Sequence, residues 1–150
     1  MAASLAVAEL TVAAPQIMIE PHPSDNKWNV LAVGMPIWAG FDDAESLHAS
    51  ASHNQVSVTM EATRAGVLFD WGDGETSFCT TGGRRPGGIH PLKESPHCGH
   101  KYLKAGEYTI TATAKWDVAW EALGSTGTIG LSASSSIDVP VREFAAVVVG

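Results

Sequence analysis

Cys79, His90, His97, Cys98 and His100 are the side chains whose types and spacing are best suited to chemistry in this sequence. Thiolates and imidazoles are zinc ligands, and in an extended strand residues 98 and 100 share a face, so Cys79, His97, Cys98 and His100 form one candidate ligand set. The spacing matches no strong zinc template, because neither C-x-x-C nor H-x-x-x-H occurs. The competing chemistry is oxidation. Cys79 and Cys98 bracket Gly82, Gly83, Arg84, Arg85, Pro86, Gly87 and Gly88, a stretch with no means of building its own core. A disulfide closing a loop of this size is worth roughly 3 kcal/mol in the chain-entropy account. Two cysteines around such a loop, in a chain rich in Ser, Thr and Gly, favour an oxidising compartment.

Asp42, Asp43, Asp70 and Asp73 are hard oxygen ligands of the kind calcium takes, but no EF-hand spacing joins them. Asp70 and Asp73 are better placed to hold a turn by accepting backbone N–H bonds. Nothing assembles into a convincing active site. Gly124-Ser125-Thr126-Gly127 lacks the strand-to-helix context of a nucleophile elbow, and Gly82-Gly83 with Gly87-Gly88 lacks the strand and helix that flank a phosphate cradle. Arg84-Arg85 reads as an exposed loop able to meet an anion, a protease or a partner. No cofactor is expected.

These residues sit among elements with the period of strands. Val56, Val58, Met60 and Ala62 alternate with Ser57, Thr59, Glu61 and Thr63, and Val67, Phe69 and Trp71 share a face after a turn predicted at Arg64-Ala65-Gly66. Tyr108, Ile110, Ala112, Ala114, Trp116, Val118 and Trp120 alternate without a break. Ile129, Leu131, Ala133, Ile137, Val139 and Val141 repeat the pattern, with Ser135 the one polar member of that face. Gly124 to Gly127 supplies turn chemistry between the two runs and predicts a long antiparallel hairpin, with arms of about 14 residues against the usual 5 or 6. Shorter strands are expected at Gln16 to Glu20 and Trp28 to Val33, with Pro15, Pro21, Pro23 and Pro36 marking edges, and a loop from Asp42 to Asn54. Roughly seven short strands and no long helix predict an all-β antiparallel sandwich. Tryptophans are expected in its core, with Trp120 the best candidate for exposure near the hairpin tip. Tyr108 is a candidate to anchor a corner.

At 150 residues the chain fits one domain and buries about 68–70% of its unfolded surface. The net charge of −7 comes from scattered acids, which argues against nucleic acid or an anionic membrane surface as the main partner. No run approaches the roughly 18 apolar residues of a membrane span. Met1 to Ala14 lacks a basic start and is interrupted by Glu9, so it makes a poor signal peptide and reads as mature sequence with a short helix or extended segment. The division expected is an apolar segment 1–14, a sandwich 15–143 and an apolar tail 144–150.

Phe69-Asp70-Trp71-Gly72-Asp73-Gly74, His100-Lys101-Tyr102 and Gly106-Glu107-Tyr108-Thr109-Ile110 together resemble the polycystic kidney disease (PKD) domain, whose signature is Trp-Asp-Phe-Gly-Asp-Gly, then His-x-Tyr, then Gly-x-Tyr-x-Val. The aromatics around Asp70 are exchanged here, which keeps two bulky apolar residues. The signature spans about 55–141, with the cysteine loop inserted before His100. A narrower likeness, carried by Met35-Pro36-Ile37-Trp38, Cys79 and Ser95-Pro96-His97-Cys98-Gly99, is to uncharacterised secreted or surface proteins of actinobacteria that carry a PKD-like domain. The resemblance implies an immunoglobulin-like sandwich, a role for His100 and Tyr102 in packing beside the Gly-Asp-Gly turn, and pairing of Cys79 with Cys98.

The function this implies is a non-enzymatic module outside the cell or at its surface, structural or protein-binding, with Arg84, Arg85 and Trp120 as candidate contacts. Two alternatives come from other classes. The apolar ends would let identical subunits assemble into a filament or pilus, and exposed aromatics would let the domain bind a glycan.

Overall fold

The computed structural model describes residues 12–41, 46–53, 55–82 and 85–143. They form nine strands and one short 3-10 turn at Pro23–Asp25. The strands are β1 (Ile17–Glu20), β2 (Leu31–Ala32), β3 (Ile37–Phe41), β4 (Leu47–His53), β5 (Val56–Asp70), β6 (Thr76–Cys79), β7 (Gly99–His100), β8 (Gly106–Ala122) and β9 (Ser125–Arg142). One sheet has the order β1-β3-β7, and the other the order β2-β9-β8-β5-β4, with β6 also on β5. All pairings are antiparallel except the short parallel contact of β2 with β9. The all-β sandwich expected from the sequence is therefore present.

The larger sheet is built on three long strands rather than many short ones. β5 runs unbroken through Arg64-Ala65-Gly66, where a turn was expected, because β8 pairs with it on both sides. The register shifts between Arg64 and Gly66, leaving Ala65 as one extra residue. That bulge has a purpose in the core. Val58, Met60 and Ala62 point inward from even positions, whereas Val67 and Phe69 point inward from odd ones, and all five are buried. With a side-chain period of two, only an added residue moves both sets to the same face. Gly66 lies against the Phe78 ring and the Cys79 carbonyl, where a Cβ would sit 2.6 Å from Phe78.

β8 and β9 pair continuously from Gly106↔Val141 to Ala122↔Ser125. The hairpin is as long as expected, but its turn is Leu123-Gly124 rather than Gly124 to Gly127. Both residues have positive φ, 51° and 75°, as a tight two-residue turn requires. The 42–54 loop also needs correction. Leu47–His53 is β4, in register with β5 from Ala62 to Val56. Its alternation of Leu47 and Ala49 with His48 and Ser50 is carried by small side chains, and residues 42–45 and 54 lie outside the described set. The Trp28 to Val33 strand shrinks to Leu31–Ala32, and Trp28 is 62% exposed with the Lys27 ammonium over its ring. Trp38, Trp71 and Trp116 are core residues as expected.

Deleting Ala65 would return β5 to a single parity and turn either Val67 and Phe69 or Val58, Met60 and Ala62 out of the core. The expected loss is more than about 4 kcal/mol, enough to abolish a cooperative urea transition. An Ala65→Gly variant, which keeps the residue count, is expected to stay within about 1 kcal/mol of wild type.

Candidate functional site

The Gly-Asp-Gly turn follows from its own side chains. Asp70 Oδ1 accepts from the Gly72 N–H at 2.9 Å and Asp73 Oδ1 from the Glu75 N–H at 3.0 Å. Gly72 has φ 81° and passes so close to β8 that a Cβ would lie 2.6 Å from the Thr109 carbonyl oxygen, so two independent constraints require glycine there. Gly74 has φ 92° in open space. Asp70 and Asp73 thus serve the backbone. Asp42 and Asp43 lie outside the described residues, and among the described residues no three His, Cys, Asp or Glu converge on a metal position.

Behind the turn the signature aromatics form a column. Ring centroids are 6.2 Å apart for Phe41–Phe69, 5.1 Å for Phe69–Trp71, 4.8 Å for Trp71–His100, 4.8 Å for His100–Tyr102 and 4.4 Å for Tyr102–Tyr108. The column draws on both sheets, since Phe41 and His100 belong to the smaller one and Phe69 and Tyr108 to the larger. Polar atoms lock it. His100 Nε2 meets Asp73 Oδ2 at 2.6 Å, Trp71 Nε1 donates to Ser77 Oγ at 3.1 Å, and the buried Tyr102 hydroxyl donates to the Trp71 carbonyl at 2.6 Å. Burial, followed by the field of Asp73, raises the Tyr102 phenol well above its ordinary value of 10. Tyr108 donates from its hydroxyl to the Lys104 carbonyl at 2.8 Å and lies against Gly106, which makes it the corner anchor that its position suggested.

Cys79 and Cys98 are bonded to each other and buried, which overturns the zinc alternative, because neither sulfur is a thiolate. His97 is exposed and His100 is committed to Asp73. The bond joins β6 of the larger sheet to the residue before β7, whose carbonyl accepts from the Ala39 N–H at 2.9 Å, so it ties the two layers together. The cysteine loop is anchored at a second point, where Trp38 Nε1 donates to the Lys93 carbonyl at 2.8 Å.

Of the candidate contact residues, Arg84 lies outside the described residues. Arg85 is half-buried and donates to the Ile89 carbonyl at 3.4 Å, bracing the loop from within. Trp120 is also half-buried. It covers Gly127 across the hairpin, where a Cβ would meet the indole at 2.5 Å, so it is part of the strand pairing and not a bare tip. The residue the tip presents is Leu123, 82% exposed. Sequence reasoning missed it because leucine carries no turn signal; the clue available was its place before Gly124. Of the apolar segment 1–14 and the tail 144–150, residues 1–11 and 144–150 lie outside the described residues.

Two packed sheets, a corner tyrosine and a bridge between the layers define an immunoglobulin-like sandwich. The family model of the PKD domain matches residues 46–128, more than half of the chain, and the chain belongs to that family. The matched stretch contributes β4 to β8 and the start of β9, beginning earlier and ending earlier than the span read from the motifs. PKD domains are interaction modules of extracellular and surface proteins. No match was found among curated proteins. No helix among the described residues is long and apolar enough to cross a membrane.

The disulfide and Tyr102 each offer a test of this frame. Replacing both cysteines with serine is expected to lower stability by about 3 kcal/mol, and a thiol assay on unfolded, unreduced protein is expected to find no free thiol. For Tyr102, the raised phenol pKa means that the unfolded chain ionises first. Its contribution is complete below pH 10 and is lost as pH rises above that value. Tyrosinate absorbance from Tyr102 should therefore emerge only together with unfolding. Tyr102→Phe should remove this part of the alkaline sensitivity while costing about 1–2 kcal/mol at neutral pH for the stranded Trp71 carbonyl.

Proposed function

We propose that this chain is a non-enzymatic, protein-binding module of a cell surface, and that the tip of the β8–β9 hairpin is its contact point. The observation that carries the reading is Leu123. A large apolar side chain stands 82% exposed on a residue held at φ 51°, a conformation that asparagine or glycine adopts far more readily. Strain and exposure together favour a role in contact over a role in folding. The surroundings fit such a role. Trp120 and Gly127 stiffen the hairpin beneath the tip, and the inner face of β8 opens from Val118, which is fully buried, to the half-buried Trp120 and Ala122, with Leu123 in the turn beyond them. A partner gripping Leu123 would meet an apolar anchor on a rigid support, the arrangement of an interface hot spot.

The turned and disulfide-tied end of the sandwich acts as frame in this reading. Its polar groups are spent on the backbone and on each other: Asp70, Asp73, His100 and Tyr102 all have partners within the domain.

Leu123→Asn separates contact from folding, because Asn-Gly is the preferred sequence for this turn. The variant is expected to gain about 1 kcal/mol in stability through relief of the positive-φ strain. Its binding to the partner that cross-linking mass spectrometry identifies on a native cell-envelope preparation should weaken about tenfold. Unchanged binding by the stabilised variant would remove the hairpin tip as the contact.

A further inference from the structure

We propose that the free edge of β9 is a self-pairing surface, on which a second copy of this chain adds its own β9 antiparallel across a two-fold axis. The inference stands apart from the hairpin-tip reading and does not depend on it.

β9 is the outermost long strand of the larger sheet. β2 reaches only Val141 and Arg142, so between Ser125 and Pro140 no strand among the described residues lies on its outer side. Which groups face outward follows from the hairpin. A two-residue turn makes Ala122 and Ser125 a hydrogen-bonded pair, so the odd-numbered residues of β9 bond to β8 and the even-numbered ones direct their N–H and C=O groups outward. Two details at the end of the strand agree. The Arg142 carbonyl accepts from the Val33 N–H at 3.0 Å on that outer side, and Pro140, which has no N–H, falls at an even position. Among the described residues, the outward groups without a strand partner are therefore those of Thr126, Thr128, Gly130, Ser132, Ser134, Ser136 and Asp138.

Edge strands of natural proteins are usually defended by lysine, proline, an inward charge, a bulge or brevity. From Ser125 to Ile137 this edge carries no charged residue and no proline, and its pairing with β8 runs without a bulge. A second copy fits it on grounds of symmetry and charge. An antiparallel pair about a two-fold axis is self-complementary. With the axis at Ser132, Thr126 lies opposite Asp138, Thr128 opposite Ser136, and Gly130 opposite Ser134. Every outward residue gains a partner, and no like charges meet despite a net charge of −7. The same register sets Leu131 opposite Ala133 on the inner face, where both are only half-buried in the single chain.

Ser132→Pro removes one outward N–H while leaving every β8–β9 bond donor in place, and Ser132→Ala keeps the N–H. Light scattering across a dilution series should give twice the 15.7 kDa chain mass for wild type and for Ser132→Ala, and the single-chain mass for Ser132→Pro. Should the proline variant fail to fold, amide hydrogen exchange of wild type provides the second reading. Protection at residues 126, 128, 130, 132, 134, 136 and 138 should fall on dilution together with the dimer. A wild-type monomer throughout the series overturns the proposal, as does a folded Ser132→Pro dimer or exchange at these amides that ignores concentration. Protection of the amides in a monomer would likewise overturn it, by showing that the chain covers its own edge.

Discussion

The hydrogen bond from the Tyr102 hydroxyl to the Trp71 carbonyl is the constraint on which the motif end of this sandwich depends. Trp71 is the last residue before the chain reverses, so its carbonyl has left the β5 ladder and lies where water cannot reach it. An unpaired carbonyl in that position would cost about 1–3 kcal/mol. Tyr102 satisfies it from a segment far along the chain and in doing so fixes where that segment crosses the turn. The aromatic column then follows, because His100 and Tyr102 are two residues apart and both meet rings at the strand end. Asp73 is shared between its own turn and His100, so the tight reversal and the layer-to-layer packing are one structure.

Much of this was legible in the sequence, for reasons that particular residues make clear. The alternation from Tyr108 to Trp120 and from Ile129 to Val141 defined the hairpin and its inner face, because a two-residue period has few other interpretations. The cysteines declared themselves through the coreless loop between them. Three features were hidden. Arg64-Ala65-Gly66 has the composition of a turn, and only the presence of β8 alongside converts it into a bulge within a continuous strand. β4 was concealed by alanine and serine, whose weak strand propensity is overridden by pairing along β5. Leu123 was invisible as a turn residue because its strain is tolerated through long pairing on either side.

The candidate surfaces lie where local preference and tertiary structure disagree. Leu123 opposes the preference of its turn, and β9 has an edge that no strand among the described residues covers between Ser125 and Pro140. At the other end of the molecule the preferences agree: glycines stand where backbone passes closely, aspartates where N–H groups need acceptors, and aromatics where two sheets meet. Conflict of this kind is expected where a protein meets something other than itself in isolation, and agreement where it holds its shape.

The covalent bridge between Cys79 and Cys98 has a consequence for wear. The described residues between them are mostly exposed and contribute little to the core, so this loop is the natural place for a protease to cut. A break there would yield two fragments that remain joined through sulfur, each still paired with its neighbours in the sheets. In a harsh surrounding such a domain can be severed without coming apart, and damage to its backbone would show only once the bridge was reduced.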